Sequence, residues 1–197
     1  MEHLNQVLFL WINATDPSST SLLIGRLLAN GLVYLFPLYL VLGWLRADAA
    51  GREALIQGAL SAVIALFLAW AIAKVWYVPR PFVVGLGHQY LPHAPTASFP
   101  SNHLSFIWGL CAGLFLHPAR RRSAWVLALI GLLVAWARIY MGIHSPLDMA
   151  GAFVTAIAAA TISAPLRRHA IPHMRRRIEP LYHLAFAWAI RRGWVRS

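Results

Sequence analysis

The sequence predicts an all-α fold, a polytopic bundle of transmembrane helices. Of its 197 residues 59% are hydrophobic and only 12% charged, where a soluble domain carries about 25% charge. The mean hydropathy is +0.61. Uncharged runs recur along the chain, each close to the ~20 residues that cross a bilayer.

The elements follow in order. The first fifteen residues, MEHLNQVLFLWINAT, lack the basic n-region and long apolar h-region of a cleaved signal. VLFLWI is too short to span and reads as an interfacial helix. Five spans are expected at about Leu22–Leu45, Ala54–Tyr77, Leu104–His117, Ala124–Met141 and Leu147–Ala164. The third is short and is expected to begin a turn earlier, near Ser101. Beyond it all lies a basic tail with an apolar stretch from Leu181 to Ile190, which reads as an amphipathic surface helix. Residues 1–165 are thus a membrane-embedded domain and 166–197 a basic cytoplasmic tail. Cys111, the one cysteine, lies in an apolar run and reads as a small buried hydrophobe.

The formal charge of +11 does not point to nucleic acid, because of where the charges fall. Thirteen of the seventeen Lys and Arg residues lie at Arg46 and Arg52, in the Arg120–Arg122 run, and in the tail from Arg167 to Arg196. That is the pattern of topology marking, with contact to anionic lipid. It places these segments in the cytoplasm and the N-terminus, the 78–102 loop and the 142–146 turn outside. Lys74, Arg80 and Arg138 then remain on the outer side, with Arg26 inside the first span. Charges that violate the orientation bias are candidates for function.

Three outward clusters carry the chemistry. In KVWYVPRPF, Lys74 closes the second span, and Pro79 and Pro81 hold Arg80 extended. In SFPSNH, Pro100 and Ser101 start a helix whose free N–H groups attract anions, with His103 in its first turn. In ARIYMGIHSPLD, Ser145-Pro146-Leu147-Asp148 has the form of a capping box. Asp148 either serves that cap or turns back to His144, four residues earlier, and leaves one ring nitrogen free as a nucleophile. Three cations, two histidines, a carboxylate and a helix N-terminus on one side suit phosphoryl transfer.

At these residues the sequence resembles the membrane branch of the type 2 phosphatidic acid phosphatase superfamily. Its signature is a lysine followed by Arg-Pro, then Pro-Ser-Gly-His, then Ser-Arg with five residues to a His and three more to an Asp. Arg138, His144 and Asp148 keep that last spacing. Lys74 precedes Arg80 by six positions instead of seven, Asn102 stands for the glycine and Ala137 for the serine. PRPF, SFPSNH and ARIYMGIHSPLDM are similar to the bacitracin-resistance type of undecaprenyl pyrophosphate phosphatase, a bacterial inner-membrane enzyme.

The resemblance implies that His144 attacks phosphorus and forms a phosphohistidine, that Asp148 orients it, and that His103 is the general acid and then activates water. It implies that Lys74, Arg80, Ser101, Asn102 and Arg138 hold the phosphate. It implies no metal and no cofactor, a periplasmic active site and a lipid diphosphate or phosphate substrate. Phosphatidylglycerophosphate, phosphatidate or a lipid A phosphate would suit the same mechanism. Two other classes compete: a zinc hydrolase or metal transporter using His88, His93, His103 and His144, and a non-catalytic lipid carrier. His88 and His93 read more simply as loop residues at the interface. Arg26 could snorkel outward or brace the phosphate site. Oligomeric state is not legible.

Overall fold

A computed structural model describes residues 2–197. Eight α-helices account for most of the chain, and no strand occurs among the described residues. After α1 (Glu2–Ile12), α2 (Ser19–Arg26) runs through a π turn (Leu27–Gly31) and a 3-10 turn (Leu32–Tyr34) into α3 (Leu35–Arg46). Then come α4 (Ala49–Val75), α5 (Asn102–Phe115), α6 (Arg121–Tyr140), α7 (Pro146–Ser163) and α8 (Ala170–Arg191).

Four continuous helical stretches are long and apolar enough to cross a membrane: Ser19–Arg46, Ala49–Val75, Pro118–Tyr140 and Pro146–Arg168. These correspond to the first, second, fourth and fifth expected spans. The expected third span is α5, with 14 residues, or about 21 Å at 1.5 Å per residue. It packs against α4, α6 and α7 and is buried along most of its length, so it is a central strut rather than a lipid-facing wall. Its start at Asn102, with Ser101 as N-cap, agrees with the sequence reading.

Small residues let this strut approach α4 closely. A Cβ on Gly113 would collide with the Gln57 carbonyl and the Gly58 Cα, and one on Gly109 would crowd the Ala62 backbone. Across the same core, Gln57 donates to Ser163 Oγ at 2.7 Å, tying α4 to α7.

The helix starts have local causes. Asp48 caps α4 by accepting the Gly51 N–H at 2.8 Å, so this helix begins five residues before the expected Ala54. Ser145 and Pro146 begin α7 as the capping pattern predicts: the Ser145 N–H donates to Asp148 Oδ2 at 2.7 Å.

The basic segments gather at one end. Arg52 is expected as a loop charge, yet it is 2% exposed. It donates to Glu179 at 3.1 Å and to the Arg196 carbonyl at 2.8 Å, and its guanidinium lies over the Tyr182 ring at 4.7 Å. A charge this deep must be paired, and the residue that pairs it lies on α8. The tail helix is also longer than expected, running through Pro180 and bending at Phe186. It docks on the start of α4. The C-terminus of α4, the N-termini of α5 and α7 and the end of α6 meet at the opposite end of the bundle.

Candidate active site

Every functional side chain at that opposite end is set by a helix terminus or by the 78–101 segment. His144 occupies the short link between α6 and α7 and is 2% exposed. Its Nδ1 lies 3.1 Å from Asp148 Oδ2. A carboxylate only accepts, so Nδ1 carries the proton and Nε2 keeps its lone pair. The same Asp148 oxygen accepts from Ser98 Oγ at 2.5 Å and from the Ser145 N–H. Asp148 therefore caps α7 and orients His144 at once, and the two readings offered by the sequence are one arrangement.

Nε2 of His144 points at Arg80 Nη1, 3.2 Å away, and at Ser101 Oγ, 3.4 Å away. Arg80 is extended (φ −73°, ψ 155°) between its prolines, and all five of its donor positions are engaged. Nε reaches the Thr96 carbonyl, Nη1 reaches the Ile143 carbonyl as well as His144, and Nη2 reaches Thr96 Oγ1 and the Ala97 carbonyl. The 96–97 backbone thus holds this guanidinium beside the unprotonated ring nitrogen of His144. Burial, followed in importance by the charges of Arg138 and Arg80, lowers the His144 pKa to about 4 against the pull of Asp148. The imidazole is neutral at neutral pH.

Arg138, in the last turn of α6, is 1% exposed. Its Nη1 donates to the Ala29 carbonyl at 3.1 Å and to Asn30 Oδ1 at 3.3 Å, both on the π turn of the first span. His103, in the first turn of α5, lies close enough to feel the charges of Arg138, His144, His93 and Arg80. Arg80, Ser101, His103, Arg138, His144 and Asp148 thus converge, as the sequence suggested. Lys74 stays exposed in the last turn of α4, and Asn102 is exposed at the first position of α5; neither side chain hydrogen-bonds to another described residue. Arg26 is likewise exposed.

Three features were not singled out from the sequence. Ser98 bridges Asp148 and His144, and the Thr96 and Ala97 carbonyls fix Arg80. Asn30 holds Arg138; its one signal was a polar residue within an apolar span. Asn13 clamps the 88 region to α6, with its amide donating to the His88 and Tyr140 carbonyls and accepting the His88 N–H. Gly142 completes this clamp: its φ is +77° and a side chain would strike the His88 carbonyl. His93, read from the sequence as a loop residue at the interface, has its ring centre 6.4 Å from that of His144, edge to face.

Beside the site, an apolar groove of about 900 Å³ runs between α5, α6 and α7, from Met149 at one end to Ala164 at the other. Its Met149 end begins one residue past Asp148.

Residues 54–171 match the PAP2 superfamily. A protein named putative undecaprenyl-diphosphatase YbjG, from Escherichia coli (strain K12), is 34% identical over 199 residues, covering both chains completely. Undecaprenyl-diphosphatase BcrC of Bacillus subtilis (strain 168) is 32% identical over 122 residues, 62% of either chain. In structure, the chain is similar to Aquifex aeolicus LpxE, with a TM-score of 0.63 at 24% identity, over 81% of this chain and 94% of that one; this likeness shows a shared fold.

Proposed function

Because this chain belongs to the PAP2 superfamily, we propose that it is a membrane lipid phosphatase that converts undecaprenyl diphosphate to undecaprenyl phosphate and inorganic phosphate. The choice of substrate is supported by two relatives that are named undecaprenyl-diphosphatases, one of them as putative. The single observation that carries the chemistry is the disposition of His144. Its Nδ1 is bound to Asp148 and its bare Nε2 faces Arg80 and Ser101.

The terminal phosphoryl group enters between Nε2 and the Arg80 guanidinium, with Arg138 as the second cation. His144 Nε2 attacks the terminal phosphorus. The N–P bond forms, the bridging P–O bond breaks, and the electron pair leaves on the oxygen of the lipid monophosphate, which His103 protonates. Asp148 stabilises the imidazolium character that develops on His144. His103 then takes a proton from water, whose oxygen attacks the phosphohistidine, and inorganic phosphate departs with restoration of neutral His144. Ser101, the Asn102 N–H and Lys74 complete the phosphate-binding set.

Arginines neutralise the equatorial oxygens here, the work a metal ion does elsewhere. Among the described residues, no three His, Cys, Asp or Glu are placed to share an ion. The isoprenoid tail occupies the apolar groove between α5, α6 and α7. The arginine-rich end faces the cytoplasm by the positive-inside rule, so the site opens to the periplasmic face of the inner membrane.

The test is phosphate release by purified protein in detergent from undecaprenyl diphosphate, phosphatidylglycerophosphate, phosphatidate and a lipid A phosphate. Preference for the polyprenyl diphosphate is predicted. Equal or better turnover of a phospholipid would transfer the function to that lipid.

A further inference from the structure

We propose that His93 reads the second phosphate of a diphosphate substrate, its Nε2 hydrogen-bonding the phosphate that stays on the lipid when His144 takes the terminal one. This rests on His144 as the nucleophile of a lipid diphosphatase.

Position is the first argument. The His93 ring, half-buried in the segment that also supplies Ser98 and the carbonyls on Arg80, stands 6.4 Å from the His144 ring at an angle of 70°. That is too far for a hydrogen bond between them. An attacked phosphorus sits about 3 Å from its nucleophile, so a group across this gap is within reach of a bound diphosphate beyond the reacting phosphorus.

Orientation is the second. His93 Nδ1 lies 3.0 Å from the Ala94 carbonyl, which only accepts. Nδ1 therefore carries the proton, and Nε2 is the nitrogen left for a ligand. It makes no hydrogen bond to another described residue.

The charges around it complete the case. Arg80 and Arg138 both act on His93, and His103 and His144 share the pocket. Burial first, then those two arginines, push the His93 pKa below the usual histidine value, opposed by the Ala94 carbonyl. In the empty site Nε2 is an acceptor, suited to the O–H of a monoprotonated diphosphate. The anionic charge of a bound diphosphate reverses the arginines' influence and favours a protonated imidazole, which donates to the same oxygen. Either state forms the bond. A lipid monophosphate, held wholly between His144 and Arg80, offers His93 no second phosphate.

The comparison that isolates this role uses farnesyl diphosphate and farnesyl phosphate, which share a tail and differ by one phosphate. In His93→Ala, kcat/KM for the diphosphate falls about tenfold or more beyond any fall for the monophosphate, the scale of a charge-assisted hydrogen bond. His93→Gln, which restores a donor, recovers part of that difference. Inhibition by inorganic pyrophosphate relative to orthophosphate weakens in the same order, which extends the comparison to variants with little monophosphate turnover. Equal losses on both substrates, with an unchanged pyrophosphate margin, would mean that His93 only braces its loop and would overturn the proposal. If the wild-type protein hydrolyses no lipid diphosphate, the functional reading itself fails and this role with it; wild-type turnover with an unaltered ratio removes the His93 role alone.

Discussion

Asp148 Oδ2 accepts three hydrogen bonds at once, from Ser98, from the Ser145 N–H and from His144 Nδ1. Because one of the three starts α7 and another sets the tautomer of His144, the carboxylate fixes the helix start and the orientation of His144 with the same atom.

Asp148→Asn separates these two duties. An asparagine can still accept the Ser145 N–H but loses the charge that supports imidazolium. We expect kcat to fall by about 10²–10⁴-fold, whereas loss of the cap alone would cost about 1 kcal/mol of stability. Steady-state kinetics beside thermal unfolding in detergent distinguishes them. A lowered melting temperature with near-normal kcat would leave Asp148 a capping residue only.

Ser98→Ala leaves Asp148 with two donors and His144 slightly less constrained. Its kcat is predicted to drop about tenfold, the order of one hydrogen bond to a charged group, with KM little changed. A KM effect with normal kcat would place Ser98 in substrate binding instead.

The low pKa of His144, about 4, gives a signed pH dependence. In the unfolded chain the imidazole takes a proton near pH 6.5; in the folded protein it resists until about pH 4. Below 6.5 the unfolded state therefore binds more protons. Stability from this group is fully present above pH 6.5, and it is lost as pH falls toward 4, at up to about 1.4 kcal/mol per pH unit. Thermal unfolding of wild type and His144→Phe across that range checks it: the variant should have the flatter acid slope.

Arg52→Ala removes the partner of Glu179 and of the Arg196 carbonyl at the far end of the bundle. Glu179 retains Arg175, so the expected destabilisation is on the order of 3 kcal/mol, read as a lower melting temperature. Specific activity of the folded fraction should stay near wild type, since no site residue touches Arg52. A selective loss of turnover would instead connect the tail to catalysis.

Ala112→Trp narrows the apolar groove. Turnover of undecaprenyl diphosphate should fall several-fold more than that of farnesyl diphosphate, whose short tail needs less of the groove. Equal effects on both would locate the tail elsewhere.

Much of this arrangement was legible in the sequence, for local reasons. The four-residue spacing of His144 and Asp148 around Ser145-Pro146 encodes both a helix start and a side-chain contact. Arg80 is fixed by the two prolines beside it. What escaped depends on pieces brought together by packing. Asn30 meets Arg138 from the π turn within the first span, 108 residues away in sequence. His93 and Ser98 lie on a loop whose path is set by Asn13 and by the Gly142 turn. Charge counting placed Arg52 in a cytoplasmic segment and nothing more, since sequence cannot show that Glu179, 127 residues away, closes over it. Hydropathy alone also cannot show that α5 is short and enclosed by its neighbours.

The most direct test of the central claim is a rapid alkaline quench of the enzyme turning over polyprenyl diphosphate labelled at the terminal phosphate, with the label mapped by peptide mass spectrometry. Alkali preserves a phosphohistidine. We predict acid-labile label on the peptide containing His144, increased in His103→Ala, where water is no longer activated, and absent from His144→Ala, which should lose at least about a thousandfold in turnover. No phosphoenzyme in any variant, together with substantial turnover by His144→Ala, would contradict the account.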